Sequence, residues 1–341
     1  LPAAAQWRIP SPGAEGSELK VGLLAKVRAE HRDTLASDDS VRDLYVRNLR
    51  FLAAGRLTER LSLFFETDAP NLGRTGADGS KGDADVFIQD FVLTYALGED
   101  TFLDGGMLLS DLSYNHSQSA ASQIALDYGP YTFLENGPLD ERVGRDYGLR
   151  LRGYAGDGAL EYRAALLSGR RGADGTEPYR YTVRLQWYPL EPLRGLFYQG
   201  TAFGEKKVLA LGASYDAQDD YETVSANLYG ELPLGAESAV TWLLETIEFD
   251  GGAFAPELTQ TRTTLVQIGV HFGGLSLTPF GRYAEKDPEP SGLADEERLQ
   301  IGLSWFPSGH RWNLKAAVER LEADGLPDRD RFSLQAQLFA F

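Results

Sequence analysis

The stretch ELKVGLLAKVRAEH, residues 18–31, decides the fold. Its odd-numbered positions carry apolar side chains, namely Leu19, Val21, Leu23, Ala25, Val27 and Ala29. Charged side chains occupy alternate positions, namely Lys20, Lys26, Arg28 and Glu30. Successive side chains of a β-strand point to opposite faces. The stretch therefore predicts a strand with one apolar face and one face suited to water.

The same alternation recurs along the chain to its last residue. In residues 145–155, Leu149 and Leu151 alternate with Arg150 and Arg152. Clusters of Gly, Asp, Asn and Pro separate the alternating segments, as expected for turns between strands. The sequence predicts sixteen strands, at 18–31, 41–55, 57–68, 85–97, 101–108, 145–155, 159–169, 180–188, 207–215, 220–230, 238–248, 262–272, 274–285, 297–306, 311–321 and 330–341.

The connections alternate between short turns and longer loops, and the longest loop, 109–144, follows the fifth strand. This pattern is typical of an all-β chain that forms a transmembrane, antiparallel, up-and-down β-barrel of about 16 strands. We expect the barrel at 18–341 and an N-terminal extension at 1–17. An even strand count leaves 193–206 as an irregular connection rather than a seventeenth strand.

The register of 41–55 stays open, because Arg47 is at an odd-numbered position and Arg50 at an even-numbered one. In a regular strand these two side chains would point to opposite faces, so their positions have opposite parity. The last strand alternates regularly and ends with Phe339 and the terminal Phe341. A terminal aromatic residue on an amphipathic strand resembles the signal by which outer-membrane barrels are delivered to their assembly machinery.

Composition limits the classes of function. No apolar run approaches the roughly 20 residues that a membrane-spanning helix needs, which excludes a helical membrane protein. The chain has no Cys, so disulfides, thiolate metal sites and Cys nucleophiles are excluded. The net charge of −17 argues against a nucleic-acid partner, since it repels phosphate.

Three stretches resemble the phosphate-selective porin O and P family. They are FLENGP at 133–138 running into RDYGLRL at 145–151, GTAFG at 200–204 with KVLALGASYD at 207–216, and NLYGELPLG at 227–235. The resemblance implies a sixteen-stranded barrel in the cell outer membrane, in contact with its lipid. It also implies a homotrimer and passive diffusion of small hydrophilic solutes or ions, without enzymatic activity or cofactor. Preference for anions such as phosphate stays open, because a full arginine ladder cannot be matched residue by residue.

Basic residues on the predicted inner face are the candidate pore-lining and anion-binding residues, namely Lys20, Lys26, Arg28, Arg150, Arg152, Arg163 and Arg184. Fixed positive charge in a narrow aqueous pore attracts anions. Alternatively, these residues only solvate the wall and pair with acids. For Arg150, Arg152, Arg163 and Arg184 we expect water to solvate the inner face, so that their replacement costs little stability. In loop 109–144, Asp127 and Glu135 are the candidate constriction acids, provided that the loop folds inward rather than lying on the surface.

Two other classes of function remain as alternatives. Ser110, Ser113 and His116 could serve an outer-membrane lipase, although a polar loop explains them as well.

A secreted, soluble β-rich carbohydrate-binding protein would place the aromatics Tyr181, Trp187, Tyr215, Trp305 and Trp312 in its core, whereas a barrel would place them at the membrane interfaces. The scattered histidines lack metal-ligand spacing, and the acidic stretch 76–85 lacks EF-hand spacing. We expect neither metal nor cofactor.

Overall fold

A strand forms at each of the sixteen predicted segments. The computed structural model describes residues 7–10, 18–34, 40–76, 79–83, 85–235, 237–289 and 292–341. Within them the barrel strands are β1 Glu18–Asp33, β2 Ser40–Arg56, β3 Leu61–Asp68, β4 Phe87–Ala96, β5 Thr101–Leu109, β6 Arg145–Ala155, β7 Leu160–Leu167, β8 Arg180–Trp187, β9 Val208–Gln218, β10 Tyr221–Pro233, β11 Ser238–Asp250, β12 Thr261–Phe272, β13 Leu277–Pro288, β14 Glu296–Trp305, β15 Trp312–Ala323 and β16 Arg329–Ala340.

Each strand pairs antiparallel with its neighbours in chain order, and β16 returns to pair with β1. The register of that closing pair runs from Arg331 opposite Arg32 to Ala340 opposite Leu23. Closure satisfies the backbone groups that an edge strand would expose. The prediction of an all-β, up-and-down barrel of sixteen strands is confirmed.

Three short elements of the described ranges lie outside the barrel wall: a strand at Trp7–Pro10 that pairs with β1, a strand at Pro307–His310, and a 3₁₀ turn at Gly273–Leu275. The rest of the predicted extension 1–17 lies outside the described residues. The prediction of an irregular connection at 193–206 is confirmed, since this range contains no strand and forms one isolated bridge, between Tyr198 and Gln118. No helix among the described residues is both long and apolar enough to cross a membrane.

The two faces of the wall differ as the alternation predicts, and β8 shows this most regularly. Arg180, Thr182, Arg184 and Gln186 are buried, whereas the four alternating apolar residues Tyr181, Val183, Leu185 and Trp187 are 43–53% exposed. The polar face therefore lies inside the barrel and the apolar face outside.

A β-bulge resolves the register of β2. Asn48 pairs with Lys26 and Val46 pairs with the adjacent Val27, which leaves Arg47 as the extra residue. A bulge shifts the parity of the residues that follow it. Arg47 and Arg50 can therefore both face inward despite their opposite parities.

The connections at the end where β1 begins are mostly short, and we call this the turn side; the opposite end is the loop side. The long loop-side connection 110–144, named the inner loop, folds into the barrel. Ser304 donates to the carbonyl of Ile124 at 2.6 Å, and Gln337 donates to that of Ala121 at 2.8 Å. These bonds fix the loop to the wall on β14 and β16.

The turn-side connection 188–207, named the turn-side insert, also folds inward and meets the inner loop. The Ser119 amide donates to the Tyr198 carbonyl, and the Tyr198 amide donates to that of Ser117, each at 2.9 Å. Tyr114 stacks between Tyr198 and Tyr229, with ring centroids at 4.7 and 4.2 Å. The lumen is therefore partitioned by two segments that enter from opposite ends.

Candidate functional site

The inner wall is rich in basic residues, because each of these residues occupies a strand position whose side chain points into the barrel. Lys26, Arg28, Arg150, Arg163 and Arg184 are 1–3% exposed, and Arg152 is 9% exposed. Lys20 lies at the turn-side end, where it lines a cavity of about 520 Å³ together with Arg56, Arg152 and Phe64. The structure therefore places the seven predicted residues inside the barrel, but covers most of them.

One group of these residues forms an ion-pair network at the start of the inner loop. Asp111 contacts Arg150 and lies 2.6 Å from the Nη1 of Arg163. Asp104 on β5 binds Arg150 at 2.8 Å and Arg152 at 2.7 Å. We name these five residues the loop-root network. Its guanidinium groups are compensated by carboxylates and anchor the loop.

Burial tends to raise the pKa of the Asp111 carboxyl, but Arg150 and Arg163 outweigh this effect and lower the pKa to about 2. Asp111 is therefore ionised at neutral pH. The expectation that water solvates these arginines is wrong for Arg150 and Arg163, because the inner loop covers them and shares their hydrogen bonds. Their replacement should therefore cost stability.

Arg184 differs from its neighbours because the groups that bind it are neutral. Its Nε donates to the Tyr198 hydroxyl at 3.1 Å, and its Nη2 donates to the Asn227 amide oxygen at 2.6 Å. Its Nη1 has no hydrogen-bond partner among the described residues. The turn-side insert, through Tyr198, thus covers a guanidinium that no carboxylate contacts directly within the described chain.

A second group of basic residues surrounds the middle of the inner loop. Asp127 lies 2.7 Å from the Nη1 of Arg28 and 3.2 Å from the Nε of Arg47. Burial tends to raise the pKa of Asp127, but Arg28 and Arg47 hold that pKa well below its ordinary value. Of the two predicted constriction acids, Asp127 thus faces a basic wall.

Sequence reasoning missed three members of this second group: Arg47, Arg282 and Lys315. The bulge conceals the inward direction of Arg47. The other two alternate with outward residues on β13 and β15, so the parity rule that selected Arg28 could also have found them.

Glu135, the other predicted constriction acid, lies within the inner loop. Its Oε1 is 3.1 Å from the Nε2 of His116, and both side chains are fully buried. Burial raises the pKa of Glu135 to about 7 and lowers that of His116 to about 3. Glu135 therefore packs inside the loop instead of lining its surface.

The same contacts bear on the lipase alternative. The Ser110 hydroxyl lies 3.5 Å from the Nε2 of His116, the ring nitrogen that also faces Glu135. In a catalytic triad the acid binds the other ring nitrogen, but the His116 Nδ1 has no partner among the described residues. A histidine with a pKa of about 3 is also a weak base at neutral pH. This geometry does not support nucleophilic catalysis.

No group of three or more His, Asp or Glu side chains within the described ranges is arranged to hold a metal ion. Part of the acidic stretch 76–85, namely residues 77, 78 and 84, lies outside those ranges.

Aromatic side chains mark both ends of the outer face. Tyr181 and Tyr215 are exposed near the loop side, on β8 and β9. Trp187, Trp305 and Trp312 are exposed near the turn side, and the last two rings pack edge to face at 5.5 Å. Two aromatic belts flanking an apolar band are typical of a barrel that spans a membrane. The predicted outward orientation of these five residues is confirmed.

The fold is similar to that of solved outer-membrane porins. The anion-selective porin of Comamonas acidovorans superposes with a TM-score of 0.60 at 12% identity, over 95% of this chain and 99% of that one. OccK1 (OpdK) of Pseudomonas aeruginosa gives 0.56 at 12% identity, over 94% and 98%. The trimer form of OmpT, an outer-membrane protein of Vibrio cholerae, gives 0.53 at 12% identity, over 94% and 99%. No protein-family model matches the sequence, and no curated protein sequence matches it.

Proposed function

We propose that the protein is a porin of the outer membrane, through which small hydrophilic solutes or ions diffuse without energy input. The observation that carries this proposal is the distribution of polarity on a closed barrel. Leu185 and Ile301 on the outer face are 51% and 64% exposed, whereas Arg28 and Gln335 on the inner face are buried. A membrane-spanning barrel requires this arrangement.

The soluble alternative requires the opposite arrangement. A soluble sandwich or barrel buries its apolar face in a core and turns its polar face to water. Here the apolar face of every strand would be left in water, and soluble proteins rarely expose apolar patches of that size. Membrane lipid is the environment that covers such a face.

We extend the proposal to a preference for anions. Basic side chains exceed acids around the middle of the inner loop, and the Comamonas acidovorans neighbour is an anion-selective porin. A likeness to OpdK, which has been solved with vanillate, agrees with an anionic solute. Membership of the phosphate-selective family and assembly as a homotrimer remain parts of this proposal; the trimer form of Vibrio cholerae OmpT supports the second.

Two measurements test the function. The purified chain should require detergent, give β-sheet circular dichroism and migrate differently on gels before and after heating. In planar bilayers under a KCl gradient, it should conduct, with a reversal potential on the anion-selective side. A monodisperse species without detergent, or bilayers that stay silent at every voltage, would overturn the proposal.

A further inference from the structure

We propose that five basic residues of the inner wall form a binding site for a multivalent carboxylate, and that residues 120–128 of the inner loop occupy this site in the present conformation. The residues, named the basic patch, are Lys26, Arg28, Arg47, Arg282 and Lys315. An anionic solute would then open the channel by competing with the loop. This inference rests on the proposed porin function and names its solute class.

The patch is continuous across neighbouring strands. On β16, Gln335 pairs in register with Arg28 of β1 on one side and with Lys315 of β15 on the other. Side chains directly opposite one another on paired strands lie about 5 Å apart at Cβ. Lys26 lies two residues before Arg28 on the same face, and Arg282 reaches the same loop segment from β13.

Charge in the patch is under-compensated. Among the described residues, Asp127 is the one carboxylate that forms an ion pair with any of the five cations. The nearby Glu319 is bound by Arg298 at 3.4 Å and Arg331 at 3.5 Å. Lys26, Arg28 and Lys315 are nonetheless 1–3% exposed. Several positive charges held together out of water favour either the loss of a proton from a lysine or the entry of negative charge.

Backbone carbonyls of the loop fill the remaining positions. Lys26 donates to the Ala120 carbonyl at 2.9 Å, and Lys315 donates to that of Ala125 at 3.0 Å. Arg282 donates to the carbonyls of Asp127 and Tyr128 at 2.7 and 3.0 Å. These carbonyls satisfy hydrogen bonds but bring no net charge. The loop therefore places oxygen atoms at the positions where a polycarboxylate would place its own. Only one of the groups that the loop provides is a carboxylate, whereas a polycarboxylate would provide several.

The arrangement also indicates the chemistry of the solute. The Asp127 carboxylate bridges Arg28 and Arg47, so one carboxylate of a solute can replace it. Further carboxylates, spaced by a short carbon chain, would replace the carbonyls at Lys26 and Lys315. A monocarboxylate could exchange with Asp127 but would leave the excess charge uncompensated. The patch thus favours di- and tricarboxylates.

Exchange would leave both ends of the loop in place, because contacts outside the patch hold them, but it would also break the bonds that Ser304 and Gln337 donate to the carbonyls of Ile124 and Ala121. The loop-root network holds its beginning, and the Asn136 side chain accepts from the Gly144 amide at 2.7 Å near its end. Asp127, in the middle of the loop, pairs with Arg47 of the wall, and their side chains are 29% and 24% exposed. A solute can therefore reach this ion pair before the loop moves.

Single-channel recording tests the proposal, with potassium citrate as the probe and potassium gluconate, a monocarboxylate, as the comparison at equal ionic strength. We expect millimolar citrate to raise the open probability of the full-length wild type about tenfold, and gluconate to change it less than about twofold. In Asp127→Asn the channel should open about tenfold more often without citrate, and half-maximal opening should need less citrate than in the wild type, because the patch has lost its one carboxylate. Glu248→Gln is the matched control and should behave as the wild type, since Glu248 on β11 forms an exposed pair with Arg262 on β12.

A cross-link provides a second readout. The chain has no native Cys, so Ala121→Cys with Gln337→Cys can be joined by a short thiol cross-linker across a contact seen here. The linked channel should lose its citrate response. A wild type that conducts but ignores citrate, or a linked channel that still responds, would refute the inference and leave the porin proposal standing. Absence of conduction in all variants would refute both.

Discussion

Replacing Asp111 with Asn should release the inner loop without unfolding the barrel. The Asp111 carboxylate contacts two guanidinium groups of the wall, and its Oδ1 also accepts from the Ser117 hydroxyl at 3.2 Å. Asn keeps the size of the side chain but removes its charge. Arg150 would then retain Asp104, and Arg163 would retain Glu161, each with one carboxylate fewer than before.

The free energy that Asp111→Asn removes from the anchoring of the inner loop can be obtained in two ways. Breaking a buried ion pair by removing one partner costs about 3–5 kcal/mol. The pKa of Asp111, lowered from 3.8 to about 2, corresponds to about 2 kcal/mol of favourable interaction. A loss of about 2–5 kcal/mol would raise the population with a detached loop by roughly 30-fold to several thousand-fold.

Hydrogen exchange of residues 110–126, measured in detergent at pH 5–8, reports this population. Because the folded-state pKa of Asp111 is lowered, its contribution is complete above about pH 4 and is lost only as the pH falls through about 2. The difference between Asp111→Asn and the wild type should therefore stay constant across pH 5–8. Exchange within about twofold of the wild type, in a barrel that stays folded by circular dichroism, would show that these ion pairs do not anchor the loop.

Three further predictions follow from other parts of the lumen. Asp127→Asn should shift the reversal potential further toward anion selectivity. Glu135→Gln should leave the reversal potential unchanged, because Glu135 faces His116 and not the wall. Equal shifts in the two variants would contradict the placement of Glu135. Burial, together with Glu135 and Asp216, raises the pKa of Glu141 to about 8 against the opposing effect of Arg180. The protection of the inner loop relative to the intrinsic, base-catalysed exchange rate should therefore fall as the pH rises from 6 to 9, and Glu141→Gln should remove that fall. Deletion of Phe341 should reduce insertion of the barrel into the outer membrane, as the terminal position of this residue predicts. The deletion should also enlarge the cavity lined by Phe64 and Phe339. An unchanged amount of the protein in the outer membrane would argue against the assembly role of Phe341.

The barrel could be predicted from the sequence because its decisive signal is local. A strand with one face in lipid and one facing the lumen must alternate, and residues 180–187 do so without exception. Turn residues then separate the strands. Arg47 shows the limit of this reasoning, because a single inserted residue reverses the parity and only the pairing of Val46 with Val27 reveals it.

The contents of the lumen could not be predicted in the same way. The inward direction of Arg150 follows from parity, but its partners Asp104 and Asp111 depend on the path of a loop that has no periodicity. The inward fold of the turn-side insert was equally hidden, since its contacts with residues 117–122 join positions about 80 residues apart in the chain. Sequence reasoning therefore identified basic residues of the wall but not which of them carry uncompensated charge.

The overall charge of −17 says little about the solute, because its effect depends on where the charges lie. Exposed acids such as Glu248 act through water, where salt screens them within roughly 8 Å. Lys26 and Lys315 are buried in the lumen, where screening is weaker and neighbouring protein lowers the effective dielectric constant. A solute that enters the barrel therefore experiences the basic patch more strongly than the acidic exterior. An acidic chain can in this way enclose an anion-selective path, provided that the inner loop leaves the patch.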